Sequence, residues 1–156
     1  MEQKPNLIEK PFTLVLPCSF STGPFMGRFL QEIKENKRLV GNKCPQCGRT
    51  MLPPRIVCAL CHVEAGDWVE LSDKGSLVSF DIVYIPTINP MTGKIREVPY
   101  ATGNILLDGG DATIWHFLEE KDPAKIRVGM RLQAVFREEG RVGDITDIVH
   151  FRTIEE

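Results

Sequence analysis

Two Cys-x-x-Cys pairs restrict the fold of this chain more than any other feature of its sequence. Cys44 pairs with Cys47 and Cys58 with Cys61, and ten residues lie between the two pairs. Each pair can place two thiolates on one side of a tight turn, and Gly48 permits the left-handed backbone that such a turn needs. Two turns of this kind facing each other form a closed tetrahedral site of four sulfurs. The site is expected to be structural, because four protein ligands leave no position open for substrate or water.

Zinc is the default metal for such a site, although iron in a rubredoxin-like arrangement uses the same four sulfurs and the spacing does not separate them. The stretch from Cys58 to His62 also spells the C-x-x-C-H motif of covalent haem attachment. Haem is disfavoured because it would leave Cys44 and Cys47 without a role, and because this attachment occurs outside the cytoplasm. His62 is therefore expected to be a surface residue beside the metal site.

The N-terminal sequence favours a cytoplasmic protein. MEQKPNLIEKPF lacks a basic segment followed by an apolar one, and no stretch approaches the roughly 18 apolar residues that span a bilayer. In that compartment cysteines are metal ligands or free thiols more often than disulfides. The fifth cysteine, Cys18, is expected to be packed, since no neighbouring motif supplies the base and oxyanion site of a nucleophile.

The charges of the chain are unevenly distributed. The net charge of the 156 residues is -2, but residues 28–56 hold seven basic and two acidic residues, whereas residues 57–156 hold ten basic and seventeen acidic. A cationic segment followed by an anionic one indicates two modules with different surfaces. We expect an N-terminal arm and helix over residues 1–37, with the helix at about 24–36, and a zinc ribbon over residues 38–66.

The remaining residues, 67–156, have the pattern of β-structure. Short runs rich in β-branched and aromatic residues alternate with turn signals such as Asp108-Gly109. Five main strands in about ninety residues, antiparallel by their short turns, favour an OB-fold barrel with a long first strand. The predicted fold class is therefore mainly β with a short N-terminal helix, a zinc ribbon being followed by a five-stranded OB-fold barrel.

Two regions carry candidate contact residues. Pro53-Pro54 is a stiff, extended link that would hold Arg55 outward, either as a solvated charge or as a cation for a carboxylate or phosphate. The long segment 86–99 carries Lys94 and Arg96 and is flanked by Tyr84 and Tyr100. Loops of this length on a rigid barrel are often functional, so we expect these residues to contact a ligand or a partner.

The order of these motifs resembles a family of small proteins with a rubredoxin-like zinc ribbon and an acyl-CoA-associated OB fold. The likeness covers about residues 24–138, and its most specific part is the paired Cys-x-x-Cys with Pro53-Pro54-Arg55 between. The other residues that carry the likeness are Trp68, Gly75, Pro99-Tyr100, Leu107-Asp108-Gly109 and Val128-Gly129-Met130.

The resemblance implies an accessory subunit that binds a thiolase-fold enzyme, or a related acyl-CoA aldolase or hydratase, and helps to bind coenzyme A. Within the family the general likeness is to small subunits of benzoylsuccinyl-CoA thiolases, which act in anaerobic toluene degradation. It implies that Arg55, Lys94 or Arg96 contact CoA phosphates. The chain itself is too short for the two doubly wound halves of a thiolase. His116 and His150 are expected to be surface or packed residues rather than catalytic bases.

Single-stranded nucleic-acid binding is the alternative, because zinc ribbons and OB barrels both serve it. Such a barrel needs a positive groove with stacking aromatic residues. Tyr84, Tyr100, Trp115 and Phe117 could stack, but the acidic excess lies on the predicted barrel and the basic excess on the ribbon. This distribution makes nucleic acid the less favoured ligand.

Overall fold

The computed structural model describes residues 21–89 and 93–155. The predicted arm over residues 1–20, with Cys18, lies outside the described residues. The elements in chain order are one α-helix, three strands of a small sheet, four strands of a barrel, a short 3-10 turn and the fifth strand of the barrel. None of the described helices is long and apolar enough to span a membrane.

Helix α1, Gly23–Asn36, packs on the small sheet. Pro24 suits its first turn because an N-terminal helical residue needs no N–H partner, and Lys37 ends it in the left-handed conformation with φ 53°. Its apolar face buries Phe29 and Ile33. The sequence left open whether this face docks on the ribbon or on another subunit, and in the described structure it covers the ribbon.

The small sheet comprises β1 (Leu39–Lys43), β2 (Thr50–Met51) and β3 (Trp68–Leu71), in the order β2-β1-β3 and antiparallel throughout. A Cβ on Gly41 would lie 2.7 Å from the carbonyl oxygen of Met51, so glycine permits the close approach of β2. The sequence pattern grouped β3 with the barrel, but β3 pairs with β1, Leu39 lying opposite Leu71. Apolar alternation defines the faces of a strand and carries no information on its partner.

The barrel confirms the predicted OB fold. It comprises β4 (Lys74–Val83), β5 (Tyr100–Leu107), β6 (Thr113–Leu118), β7 (Arg131–Phe136) and β8 (Ile148–Thr153), closed in the order β4-β5-β6-β8-β7. The long first strand is present as β4. The expectation of wholly antiparallel pairing is wrong at one position, because β6 and β8 run parallel where Leu118 meets Phe151. A closed ring of five strands cannot alternate direction throughout, so at least one pair must be parallel.

One hydrophobic core runs through helix, small sheet and barrel. Its buried side chains include Phe29 and Ile33 of α1, Leu71 of β3, and Ile105 and Phe151 of the barrel. The turn between β5 and β6 also joins the small sheet, since the Asp111 carboxylate accepts a hydrogen bond from the Thr50 amide at 2.9 Å. The sheet that carries the cysteines is therefore fixed to the barrel by packing and by hydrogen bonds.

Candidate metal centre and interaction surfaces

The four cysteines converge as the spacing predicts. The sulfur atoms of Cys44, Cys47, Cys58 and Cys61 all lie within 4.8 Å of one another. The Sγ atoms of Cys47 and Cys58 are 3.9 Å apart, close to the edge of about 3.8 Å that Zn–S bonds of about 2.3 Å give in a tetrahedron. The donor set and its dimensions fit a four-coordinate structural zinc ion.

Each pair of cysteines lies on a hydrogen-bonded turn that ends in a left-handed residue. In the first turn the Gly48 amide donates to the Cys44 carbonyl at 2.9 Å, and Gly48 has φ 72°. In the second turn the His62 amide donates to the Cys58 carbonyl at 2.9 Å, and His62 has φ 56°. His62 thus occupies the backbone position that Gly48 occupies in the first turn, and its exposed side chain agrees with the predicted surface role.

The environments of the thiols differ in a way that suits a bound dication. The backbone amide of Cys47 donates to the Cys44 sulfur at 3.4 Å, and chiefly this hydrogen bond lowers the pKa of Cys44 to about 7. Burial, together with the neighbouring sulfurs, raises the pKa of Cys61 to about 12. Four clustered thiols resist complete ionisation without a cation, and a zinc ion would supply the charge that stabilises all four thiolates.

Arg55 lies between the two cysteine turns with its backbone fixed. Asn42, which is 0% exposed, donates from Nδ2 to the Arg55 carbonyl at 2.7 Å and accepts at Oδ1 from the Arg55 amide at 3.1 Å. The Arg55 side chain is exposed. The outward presentation expected from the stiff Pro53-Pro54 link therefore also depends on a buried amide that the sequence analysis did not identify.

The predicted loop residues lie on the barrel, on another part of the molecule from the cysteine turns. The segment after β4 forms a hairpin in which Ile88 pairs with Ile95 and the Arg96 amide donates to the Thr87 carbonyl at 2.8 Å. The Arg96 guanidinium lies 4.5 Å from the ring centroid of Phe117 and 5.5 Å from that of Tyr100. The structure thus brings two predicted residues, Arg96 and Tyr100, together and adds Phe117.

Trp115 extends this aromatic surface. Its ring centroid is 5.8 Å from that of Phe117, two residues further along β6 and on the same face of the strand, and its side chain is 55% exposed. Tyr84, directly after β4, is 63% exposed, and Lys94 is exposed in the hairpin. Arg55 lies on the ribbon, so the five predicted contact residues are distributed over two surfaces.

The two histidines of the barrel are packed or paired at the surface. His116 is buried, its Nε2 lies 3.2 Å from the Ile145 carbonyl, and burial lowers its pKa below the usual value. His150 lies 3.5 Å from a carboxylate oxygen of Glu119. Neither environment places a histidine beside a candidate nucleophile within the described part of the chain.

Fold and site together define a four-cysteine zinc ribbon joined to an OB-fold barrel. Residues 32–65 match the family model of the ChsH2 rubredoxin-like zinc ribbon domain, and residues 68–137 match that of the ChsH2 C-terminal OB-fold domain. A DUF35 domain-containing scaffold protein of Methanocaldococcus jannaschii is 31% identical over 132 residues, covering 82% of this chain and 90% of the relative. The chain belongs to the DUF35 family.

Further relatives agree with this assignment. A DUF35 domain-containing scaffold protein of Methanothermobacter thermautotrophicus is 30% identical over 124 residues, covering 76% of this chain and 89% of that protein. A solved chain described as "Ltp2-ChsH2(DUF35) aldolase" superposes with a TM-score of 0.58 at 25% identity, covering 81% of this chain and 93% of that one. A DUF35 protein of unknown function from Sulfolobus solfataricus shares the fold, with a TM-score of 0.57 at 22% identity and coverage of 85% and 83%.

Proposed function

We propose that this chain is a non-catalytic subunit of an acyl-CoA-acting complex, in which it assists assembly and the binding of coenzyme A. The observation that carries the proposal is its likeness to the chain described as "Ltp2-ChsH2(DUF35) aldolase", a name that joins a DUF35 protein to a second component in one enzyme. The description of its relatives as scaffold proteins supports the same role. The proposed partner is a thiolase-fold subunit in a cytoplasmic hetero-oligomer.

The side chains of the described residues support a non-catalytic role. Their four cysteines form the candidate zinc site, and four protein ligands would leave no open coordination position on the metal. His116 is buried against aromatic rings and a backbone carbonyl, so a substrate proton cannot reach it without rearrangement. The nucleophile and the acid–base groups are therefore assigned to the partner, with CoA as its second substrate in the cleavage of a β-ketoacyl-CoA.

The proposed CoA contacts lie on the barrel. Arg96 packs its guanidinium on Phe117 and Tyr100, which leaves the N–H edge of the guanidinium available for a phosphate. Lys94 lies two residues before Arg96 and Tyr84 directly follows β4, and exposed Trp115 offers a flat face for an adenine ring. The proposed acyl substrate is benzoylsuccinyl-CoA of anaerobic toluene degradation, on the general likeness of the sequence.

Purification from the native host tests the proposal. The chain, carrying a small affinity tag, is expected to copurify with a larger thiolase-fold subunit that retains a catalytic cysteine, and mass spectrometry identifies that subunit. A parallel preparation from cells that express the affinity tag alone serves as the control for non-specific capture. Recovery of a lone monomer with no measurable affinity for CoA would exclude the proposed function.

Nucleic-acid binding is kept as a second candidate because of one observation. Tyr100, Trp115 and Phe117 lie in contact along β5 and β6, the strands that OB folds use to stack bases. The acidic excess of residues 57–156 opposes it, and Arg96 covers part of two of these rings. A titration with single-stranded DNA at two salt concentrations decides between the two candidate functions. A low-micromolar, steeply salt-dependent affinity would favour nucleic-acid binding.

A further inference from the structure

A cavity of about 170 Å³ opens on the ribbon, away from the aromatic surface of the barrel. It lies where β2, the Pro53-Pro54 link, the second cysteine turn and the turn between β5 and β6 meet. We call it the ribbon notch and define it by its principal lining residues, which are Arg49, Leu52, Arg55, Ala59, Leu60 and Ala112. A cavity of about 150 Å³ is known to hold a benzene-sized group, so the notch has room for one side chain.

The walls of the ribbon notch are held in place by part-buried hydrogen bonds. Asn42 fixes the Arg55 backbone on one side, as described above. On the other side the Asp111 carboxylate accepts from the Thr50 amide at 2.9 Å, and the Asp111 amide donates to the Thr50 carbonyl at 3.3 Å. A preformed pocket avoids part of the ordering cost of binding, so this rigidity favours recognition.

The electrostatics of the ribbon notch favour an anion. None of the described carboxylates lies within ion-pair distance of Arg49 or Arg55. The carboxylate that lines the notch, that of Asp111, is engaged by the Thr50 amide. Arg49 and Arg55 are the basic residues that line the notch, and both belong to the basic segment 28–56. Two arginines without a carboxylate partner are suited to bidentate recognition of a carboxylate.

Large aliphatic side chains are exposed at the notch and beside it in the chain. Leu60, which lines the notch, is 63% exposed, and Ile56 and Val57, which follow Arg55, are 56% and 43% exposed. Exposed apolar patches of this kind mark interaction sites. The turn that bears these side chains is ordered by the pairing of Val57 with Glu64 and by the Ala65 amide, which donates to the Ile56 carbonyl at 2.8 Å. Arginine next to exposed apolar side chains is typical of a surface that binds protein.

We infer that the ribbon notch is the docking site for a segment of the catalytic partner in which an acidic residue lies beside an aliphatic or aromatic one. The carboxylate pairs with Arg49 and Arg55, and the apolar side chain enters the cavity against Leu60. This inference rests on the proposed function, since it assigns the surface through which the partner subunit binds. It separates the surface for the partner from the barrel surface proposed for CoA.

Photo-crosslinking in the complex from the native host tests the inference. A photoreactive phenylalanine analogue replaces Leu60 in one variant and Val142, which is 66% exposed on the barrel, in a control variant. The Leu60 variant is expected to crosslink to an acidic and apolar segment of the catalytic subunit, and the Val142 variant is not. Crosslinking to a second copy of this chain, to a basic segment, or to nothing while the complex is intact would overturn the inference.

Charge reversal provides an independent measurement. Arg55→Glu and Arg49→Glu are each expected to weaken partner binding by at least tenfold, whereas Arg127→Glu, an equal change of charge at an exposed position outside the notch, leaves it within about twofold. Zinc content is measured for every variant, so that loss of the metal is recognised. If wild-type chain binds the partner and the notch variants bind equally well, the inference fails while the proposed function stands; if wild-type chain binds no thiolase-fold subunit, the proposed function itself fails.

Discussion

Replacement of Asn42 by alanine should destabilise the ribbon strongly, because this side chain is fully buried and satisfies two backbone groups. The substitution removes the hydrogen bonds to the Arg55 carbonyl and amide, at 2.7 and 3.1 Å. Each is worth about 1 kcal/mol, and leaving part-buried backbone groups without partners adds a penalty of about 1–3 kcal/mol. We expect a total loss of about 2–4 kcal/mol and a fall in Tm of roughly 5–15 °C.

Asn42→Asp is a sharper test of the same contact, since it keeps the shape and the Oδ1 acceptor. A carboxylate oxygen would then face the Arg55 carbonyl, and a buried charge would have no cationic partner among the residues that the structure describes around it. We expect Asn42→Asp to be at least as destabilising at neutral pH as Asn42→Ala. The assay is urea unfolding followed by tryptophan fluorescence, with zinc content measured before each titration.

Asn36→Ala is the matched control. Asn36 is exposed at the end of α1, and its Nδ2 donates to a Glu32 carboxylate oxygen at 2.8 Å. Surface changes of this kind fall within about 0.5 kcal/mol. If Asn42→Ala cost less than about 1 kcal/mol, or no more than Asn36→Ala, the reasoning that Asn42 holds Arg55 in place would be refuted.

Three further predictions follow from the core, the buried histidine and the aromatic surface. Cys44→Ser should release zinc and lower the unfolding midpoint of the barrel as well as that of the ribbon, since one core joins them. Variants that keep only Trp68 or only Trp115 report the two midpoints by fluorescence. An unchanged Trp115 midpoint would show that the modules unfold independently. Burial lowers the pKa of His116, so the unfolded state binds the proton of this imidazole more tightly than the folded state does. The free energy of unfolding should therefore fall as the pH drops below about 6.5 and level off below the pKa of the folded state. Denaturant titrations across pH measure this, and the His116→Phe variant should lose the dependence. The hydrogen bond from Arg131 lowers the pKa of Asp108, so the protein should lose further stability at more acidic pH, where this carboxylate becomes protonated. Arg96→Ala should weaken CoA binding at least tenfold in calorimetry, with Arg127→Ala as the control; equal affinity would remove Arg96 from the proposed CoA contact.

Local features of the fold were predictable from the sequence because spacing determines them. The four-sulfur cluster follows from two Cys-x-x-Cys turns, and α1 follows from Pro24 and its apolar periodicity. The OB barrel follows from strand lengths and turns. In each case the residues that decide the structure are close neighbours in the chain.

Contacts between distant residues were not predictable in the same way. The pairing of β3 with the ribbon and the parallel contact of β6 with β8 depend on how the sheets close. Asn42 gave one signal that could have been used, namely a polar residue directly after Leu39-Val40-Gly41 in a short strand, where a buried amide needs partners. The packing of Arg96 on Phe117 joins positions that only the barrel brings together.

We propose that this chain assists a catalytic subunit and has no catalytic activity of its own. Reconstitution tests it most directly, by measuring CoA-dependent cleavage of a β-ketoacyl-CoA with this chain alone, with the copurified thiolase-fold subunit alone, and with both together. We predict no cleavage by this chain alone and a markedly higher rate for the mixture than for the partner alone. Cleavage by this chain alone, or a rate for the partner that its addition leaves unchanged, would contradict the claim.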